Sequence, residues 1–397
     1  MRPLHVLVTD GEQRSTLAIV RSLGKAGHRV EVVSGSGRSL AGASRYCRSD
    51  HAVPDPLAEP DAFGKAVLAR VGERSIEAII PATEASLRVL LPMREQLEDV
   101  LFPFPDAATF ARVSDKENIL ATARDLGIAV PEQVALQERD PKAIGSLDFP
   151  LVLKPWVSVV RDAGRARKLG VVHIGDRNEL RAALHRLPDA AFPVLAQRRI
   201  VGPGVGIFLL RWNGRTVARF AHRRIREKPP SGGVSVYRES VEVPEEWFQQ
   251  AERLLETAGW CGVAMVEFKV DAASGRPYLM EINGRFWGSL QLAVDAGVDF
   301  PRLLLEAATG EPAVEPPTYR PGIRLRWEWG DIDHLLARLR RSDETLHLPP
   351  GSPSRIKTIA RVLLPWRPGD RWEVFRPGDP KPFLRETGLW FGRQQRT

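Results

Sequence analysis

Short apolar runs alternate with helical patterns through the first hundred positions. Leu4 to Val8 is a largely apolar stretch suited to a buried strand. A polar turn, Thr9 to Arg14, follows it. Ser15 is placed to cap a helix running through Ala26, and Gly27 suits its C-terminal stop. Arg29 to Ser34 returns as a strand. Ile76 to Pro81 reads as another buried strand, with a helix from about Glu84, and Leu101 to Phe104 as a further short strand. Strands alternating with helices predict a parallel α/β layer to about residue 111. The pattern G-x-G-x-x-G is absent after the first strand, which argues against dinucleotide binding there.

Beyond residue 111 the pattern changes. Ser114 and Glu117 have capping-box spacing, and Ile119, Leu120, Ala123 and Leu126 repeat at helical spacing up to Gly127. Phe149 to Lys154 is a strand ending at Pro155. Residues 158–170 are rich in Arg, Lys and Gly and read as a mobile loop, after which Val171 to Ile174 resumes a strand. Pro193 to Gln197, Gly206 to Trp212 and Thr216 to His222 read as antiparallel strands. Glu245 to Ala258 is a helix. Val263 to Asp271 and Arg276 to Asn283 form a hairpin joined at Ala272-Ala273-Ser274-Gly275, and a helix from Phe300 to Gly310 closes the region.

That hairpin carries the sharpest chemical signal. Alternation puts Glu281 and Asn283 on one face of their strand, with Met280 and Ile282 on the other. If the hairpin loop holds an odd number of residues, Glu267 lies nearly opposite Glu281, with Cβ atoms ~5 Å apart. Two carboxylates that close, among apolar neighbours, need a shared proton or a cation. Asn283 adds a neutral oxygen, and no His or Cys joins them, so an all-oxygen site of this kind favours magnesium, with manganese as the alternative. An exposed hairpin with scattered acids is the competing reading.

Lys116 stands at an expected helix start, and Lys154 ends the apolar strand Val152-Leu153-Lys154, where a point charge can be aimed at phosphate. The basic, glycine-containing segment from Ser158 to Gly170 suits a phosphate lid. Gln197-Arg198-Arg199-Ile200, leading into a glycine-rich stretch, could meet an adenine edge through its backbone. His222 to Arg226 is a strand-like cationic run, and alternation puts Arg224 and Arg226 on one face with His222, placed for substrate or phosphate. A basic edge strand is the alternative.

Composition narrows the partners. The chain has 397 residues and a formal charge of +8. Residues 313–397 hold 16 Lys/Arg and 10 Asp/Glu, so they supply +6 of that charge and leave +2 for the rest. The near-neutral body argues against nucleic acid as the main partner. With only Cys47 and Cys261, no disulfide framework or cysteine-based zinc cluster is available. No apolar run approaches the ~20 residues of a membrane helix, and the start of the chain lacks a signal-peptide pattern, so a cytoplasmic protein is expected. The tail holds eleven prolines and five of the ten tryptophans. Within it, Ile356, Ile359, Ala360 and Leu363 recur at helical spacing with Arg355, Lys357 and Arg361 mostly off that stripe, ahead of Pro365 and Trp366. This helix is expected to pack its stripe on the body; lying on an anionic bilayer is the less favoured reading.

In order over roughly residues 1–312, these features resemble the ATP-grasp superfamily, and especially its carbamoyl-phosphate-synthase-like branch of carboxylate–amine ligases and predicted ATP-dependent carboligases. Met280-Glu281-Ile282-Asn283-Gly284-Arg285-Phe286-Trp287-Gly288-Ser289 is the most similar stretch. The resemblance implies a Rossmann-like pre-ATP-grasp α/β domain over 1–111, and then an ATP-grasp domain of two α+β subdomains over 112–312, with a lid subdomain at about 120–195. A Pro/Trp/Arg-rich C-terminal extension over 313–397 would follow. It further implies that Lys116 and Lys154 bind ATP phosphates, that Gln197, Arg198, Arg199 and Ile200 hold adenine, and that Glu267, Glu281 and Asn283 ligate magnesium. Arg285 would stabilise the transferred phosphate, and Arg224 and Arg226, read from the cationic strand, are the further catalytic candidates. The expected activity is ATP- and Mg-dependent joining of a small-molecule carboxylate to an amine, or to a thiol, through an acyl phosphate, releasing ADP and phosphate. A non-catalytic nucleotide-binding module and a basic peripheral membrane protein are the alternatives. Three positions depart from the family: Arg198 and Pro203 where acids are common, and Gly284 where Pro is more frequent.

Overall fold

The computed structural model describes residues 2–155, 159–162, 165–310, 315–349, 351–363 and 369–394. The first apolar runs become β1 (His5–Val8), β2 (Arg29–Ser34), β3 (Cys47–Ala52) and β4 (Ala78–Ile80), a parallel sheet of order β3-β2-β1-β4. β1 is buried along its whole length, as a strand covered on both faces must be. Three details differ from the sequence reading. The helix after β1 spans Arg14–Lys25 behind Gln13, and Ser15 lies buried inside it rather than capping it. Leu101 makes only a single bridge to Ala78, so Leu101 to Phe104 is not a strand. β3 is a polar, half-exposed edge without the apolar run that would have announced it.

The next six strands are β5 (Gln133–Leu136), β6 (Leu151–Pro155), β7 (Val159–Asp162), β8 (Arg165–Lys168), β9 (Val172–Ile174) and β10 (Val194–Arg198). Four of them form a sheet of order β5-β10-β6-β9, while β7 and β8 pair antiparallel as a separate hairpin. Most of the segment read as a loop is therefore a hairpin; Ser158, at its start, lies outside the described residues. The helix Lys116–Asp125 is capped by Asp115, whose carboxylate accepts from the N–H groups of Glu117 and Asn118. The cap is one residue later than the Ser114 spacing suggested. Gly127 ends that helix at φ +72°, a left-handed conformation open to glycine.

The remaining strands are β11 (Gly204–Trp212), β12 (Arg215–Lys228), β13 (Val234–Ser240), β14 (Gly262–Val270), β15 (Pro277–Asn283), β16 (Arg324–Arg326) and β17 (Asp370–Trp372), in a sheet of order β15-β14-β11-β12-β13-β16-β17. β12 is an interior strand, so the basic run it carries is not an edge. Two compact units account for the chain. One comprises Met1–Phe110, Gly206–Met265 and Asn283–Thr397; the other comprises Ala111–Val205 and Val266–Ile282.

The tail is built into the first unit rather than appended to it. β16 and β17 extend its sheet, and buried Arg21 donates to the Asp379 carboxylate (2.8 Å) and to the Glu373 and Val374 carbonyls. The expected amphipathic helix forms over Arg355–Leu363, but it buries Thr358 and Val362 and leaves Ile356 79% and Leu363 63% exposed. The predicted stripe is thus not the packed face. Its neighbour is the helix Glu328–Arg340, and Arg326 fixes the register by donating to the Val362 carbonyl (2.7 Å). Pro365 and Trp366 lie outside the described residues.

Candidate functional site

In the second unit, one face of the β5-β10-β6-β9 sheet is core. Leu151, Leu153, Val194 and Ala196 pack there with Leu180, Ala183 and Leu184 of the helix Arg177–Arg186. Alternation sends Val152, Lys154, Leu195 and Gln197 to the other face. The register confirms the grouping: Lys154 lies opposite Leu195, and Gln197 lies between Val152 and Gln133. The amide of Gln197 donates to Oε1 of Gln133 (2.8 Å).

Lys154 Nζ is 3.9 Å from Sδ of Met280. Burial pushes its pKa down; Glu281 and Glu267 pull it up, and Lys116 and Lys269 push it further down. Five charged residues, drawn from the start of one helix and three strands, therefore act on a common region of this unit. Lys116 occupies the first turn of its helix, where the macrodipole disfavours a cation, so its placement does not serve helix stability. Three ammonium groups and two carboxylates in one region suit a polyanion carrying a divalent cation. Lys269 was missed in the sequence reading, although alternation from Glu267 along β14 would have found it.

The hairpin closes at Asp271, whose N–H donates to the Arg276 carbonyl (3.0 Å), around the four residues Ala272 to Gly275. An even loop does not meet the condition for placing Glu267 directly opposite Glu281. The two acids are nonetheless related through Lys154, which feels both.

The Gln197 to Ile200 segment is held by its backbone. The N–H groups of Arg198 and Arg199 donate to the carbonyls of Glu132 (2.8 Å) and Pro150 (3.0 Å), so they are already committed, and Ile200 is buried. The side chain of Arg198 lies on the core side of β10, opposite Gln197 and Lys154, and stacks on Tyr278. Its guanidinium is therefore turned away from the face that carries Lys154. Gly202 is required downstream: at φ +156°, any Cβ would run into the Val270 carbonyl oxygen.

In the first unit, Arg285 donates to Oδ1 of Asn283 (2.9 Å) and to the Phe286 carbonyl (2.9 Å), which holds that asparagine's oxygen in place. Gly284 is explained by Trp260, whose ring carbons fill the space a Cβ or a proline ring would need. The predicted shared face of Arg224 and Arg226 does not form. A bulge at Ile225 sets Arg224 opposite Arg238 but Arg226 opposite Tyr237, which reverses the facing of Arg226. Arg226 instead makes a two-pronged pair with Asp331 (2.6 and 2.5 Å), and Arg224 bonds Glu227 (2.9 Å). His222 is fully buried against Phe208, its Nε2 2.8 Å from Ser289 Oγ, and burial holds its pKa well below the usual value. Arg14 was also missed: it lies beside Gly288, stacks on Trp327 at 3.8 Å, and shares the buried carboxylate of Glu373 with Arg238. Burial raises both thiols, that of Cys47 to about 12, so neither suits a nucleophile.

Residues 192–330 match the family model described as ATP-grasp in the biosynthetic pathway with Ter operon. No curated protein sequence matches the chain. Among solved structures it is similar to an L-amino acid ligase from Bacillus licheniformis, at TM-score 0.62 and 19% identity, over 82% of this chain and 79% of that one. It is similar also to biotin carboxylase from Campylobacter jejuni in a beta-gamma-ATP complex, at TM-score 0.64 and 16% identity over 81% and 74%. N5-carboxyaminoimidazole synthetase from Staphylococcus aureus, complexed with ADP, matches at TM-score 0.62 and 16% identity over 81% and 82%.

Proposed function

This chain has the ATP-grasp fold, and from that premise we propose that it is an ATP- and Mg-dependent ligase joining a small-molecule carboxylate to an amine through an acyl phosphate. The observation that carries the reading is Lys154, partly buried in the joint field of Glu281, Glu267, Lys116 and Lys269. The donor set fits the metal. Glu267, Glu281 and Asn283 offer hard oxygens, and magnesium completes its shell with water and phosphate oxygens; manganese is the alternative. When bound, the metal supplies charge neutralisation at the transferring phosphoryl group.

The chain's own residues have separable tasks in this proposal. Lys154 and Lys116 hold nucleotide phosphates, and their partial desolvation strengthens each charge. The 197–200 segment borders the adenine through its backbone. Arg285 orients Asn283 and faces charge that develops on the phosphoryl group. The β7–β8 hairpin is the lid that excludes water from a hydrolysable acyl phosphate. Arg224 is proposed for substrate recognition, while Arg226, facing the other way and paired with Asp331, is proposed to support the strand that carries it. The deciding experiment measures ADP and phosphate release with Mg·ATP across amino acids, peptides and amino sugars. Amine-dependent release with a new C–N bond in the product supports the proposal. Phosphate transfer with no condensed product, or no turnover on any pair, overturns it.

A further inference from the structure

The second unit contains an open cavity of ≈ 860 Å³ whose lining includes Arg124, Arg198, Arg276, Tyr278, Glu132 and residues 127–131. Its Arg198, Val134 and Leu147 lie on the core side of β10, whereas Lys154 and Gln197 occupy the opposite face; Gln133, which bonds Gln197, also lines it. Two of its arginines stack on Tyr278, each with its guanidinium carbon 5.6 Å from the ring centroid. Stacking uses the flat face of a guanidinium and leaves its in-plane N–H donors available. Among the described residues, Arg124, Arg198 and Arg276 pair with no carboxylate, and Nε of Arg198 is buried without a hydrogen-bond partner. Arg139, Arg219 and Arg223, by contrast, each hold an acid. The nearby acids do not neutralise the group. Glu132 is the one carboxylate in the lining. Asp271, which feels Arg198, is committed to Ser274 and to the N–H of Ala273.

We propose that this cavity is a second anion site, separate from the nucleotide site, which takes the dianionic phosphate group of a small molecule between Arg124, Arg198 and Arg276. The chemistry is that of forked donors converging on phosphate oxygens. A cavity of this volume admits a phosphomonoester as readily as inorganic phosphate. Either source satisfies the recognition, and the test separates them.

The full chain, saturated with Mg·ADP, is titrated calorimetrically with inorganic phosphate and, separately, with glucose 6-phosphate as a phosphomonoester probe. The same titrations are run on Arg124→Gln/Arg276→Gln, two exposed positions. Saturable one-to-one binding of at least one probe, weakened tenfold or more in the double variant while ADP affinity is unchanged, supports the site. The better of the two probes identifies the source. No saturable binding of either probe, equal affinity in the double variant, or binding that appears only when ADP is omitted overturns it, the last because the anion would then occupy the nucleotide site. The readout needs no turnover, so its failure is distinct from failure of the ligase proposal.

Discussion

At the scale of single residues, the acids around Lys154 carry the most consequence. Glu281→Gln keeps the size of the side chain and removes its charge. Turnover is expected to fall by a factor of ~100 or more, with the melting temperature little changed, because a neutral amide cannot replace a carboxylate that holds a cation. Near-parental ADP release in this variant would refute the assignment. Lys154→Ala should weaken ATP binding by at least tenfold in calorimetry, and Lys269→Ala by less, since Lys269 is the smallest of the four charge influences on Lys154.

Glu386 allows a pH prediction away from the site. Burial raises its pKa from 4.5 to about 7; the hydrogen bond from Trp327 lowers it and Glu328 raises it further. A raised carboxyl keeps a proton in the fold that the unfolded chain has released. Its contribution therefore erodes stability as pH rises from about 4.5 through about 7, and the full penalty is present above that, roughly 3 kcal/mol at ~1.4 kcal/mol per pH unit. Glu386→Gln, which can still accept from Trp327, should melt higher than the parent at pH 8 and close to it at pH 4.5. Equal melting points at pH 8 would mean that the fold does not raise the Glu386 pKa.

At the scale of elements, the β7–β8 hairpin and the 197–203 segment behave as opposites. The hairpin is a two-stranded sheet of its own, and such pairs are marginal in isolation. Its amides should exchange quickly in the free protein and slow on adding Mg·ATP. Identical exchange with and without nucleotide would rule out a lid. The 197–203 segment is pinned by backbone bonds to Glu132, Pro150, Val270 and Ala272, so it is expected to be protected in both states. Gly284→Pro, the residue more common in the family, should destabilise by several kcal/mol through overpacking against Trp260. A parental melting temperature would show that Trp260 can move aside.

At the scale of the whole molecule, the C-terminal extension is structural. A chain ending near residue 312 would lose β16, β17 and the acceptors of Arg21, and would leave that buried guanidinium and Arg238 without their carboxylates. Breaking such buried pairs costs about 3–5 kcal/mol each, so the truncated chain should aggregate. The full chain should not co-sediment with anionic liposomes, even though Ile356 and Leu363 are exposed. Recovery of a soluble, folded truncation would refute this. No helix among the described residues is long and apolar enough to cross a membrane.

Local pattern alone determined a good deal of this protein. The buried parallel strands from Leu4 and Arg29, the helix stops at Gly27 and Gly127, and the acidic hairpin all follow from periodicity and turn chemistry. These are short-range properties written within ten residues. What failed was what depends on partners far along the chain. The edge strand β3 is polar because only one side of it is covered. The bulge at Ile225 depends on pairing with β13, and strict alternation cannot foresee it. The buried face of the helix Arg355–Leu363 was decided by Arg326 and its neighbouring helix rather than by its own stripe. Arg14 and Arg238 meet Glu373 from positions more than a hundred residues away. Only the tertiary structure decided that Lys154, Lys116 and Lys269 share the field of Glu267 and Glu281, and that Arg198 turns away from them. Electrostatic coupling acts through space over a few ångströms, and the sequence records spacing only along the chain.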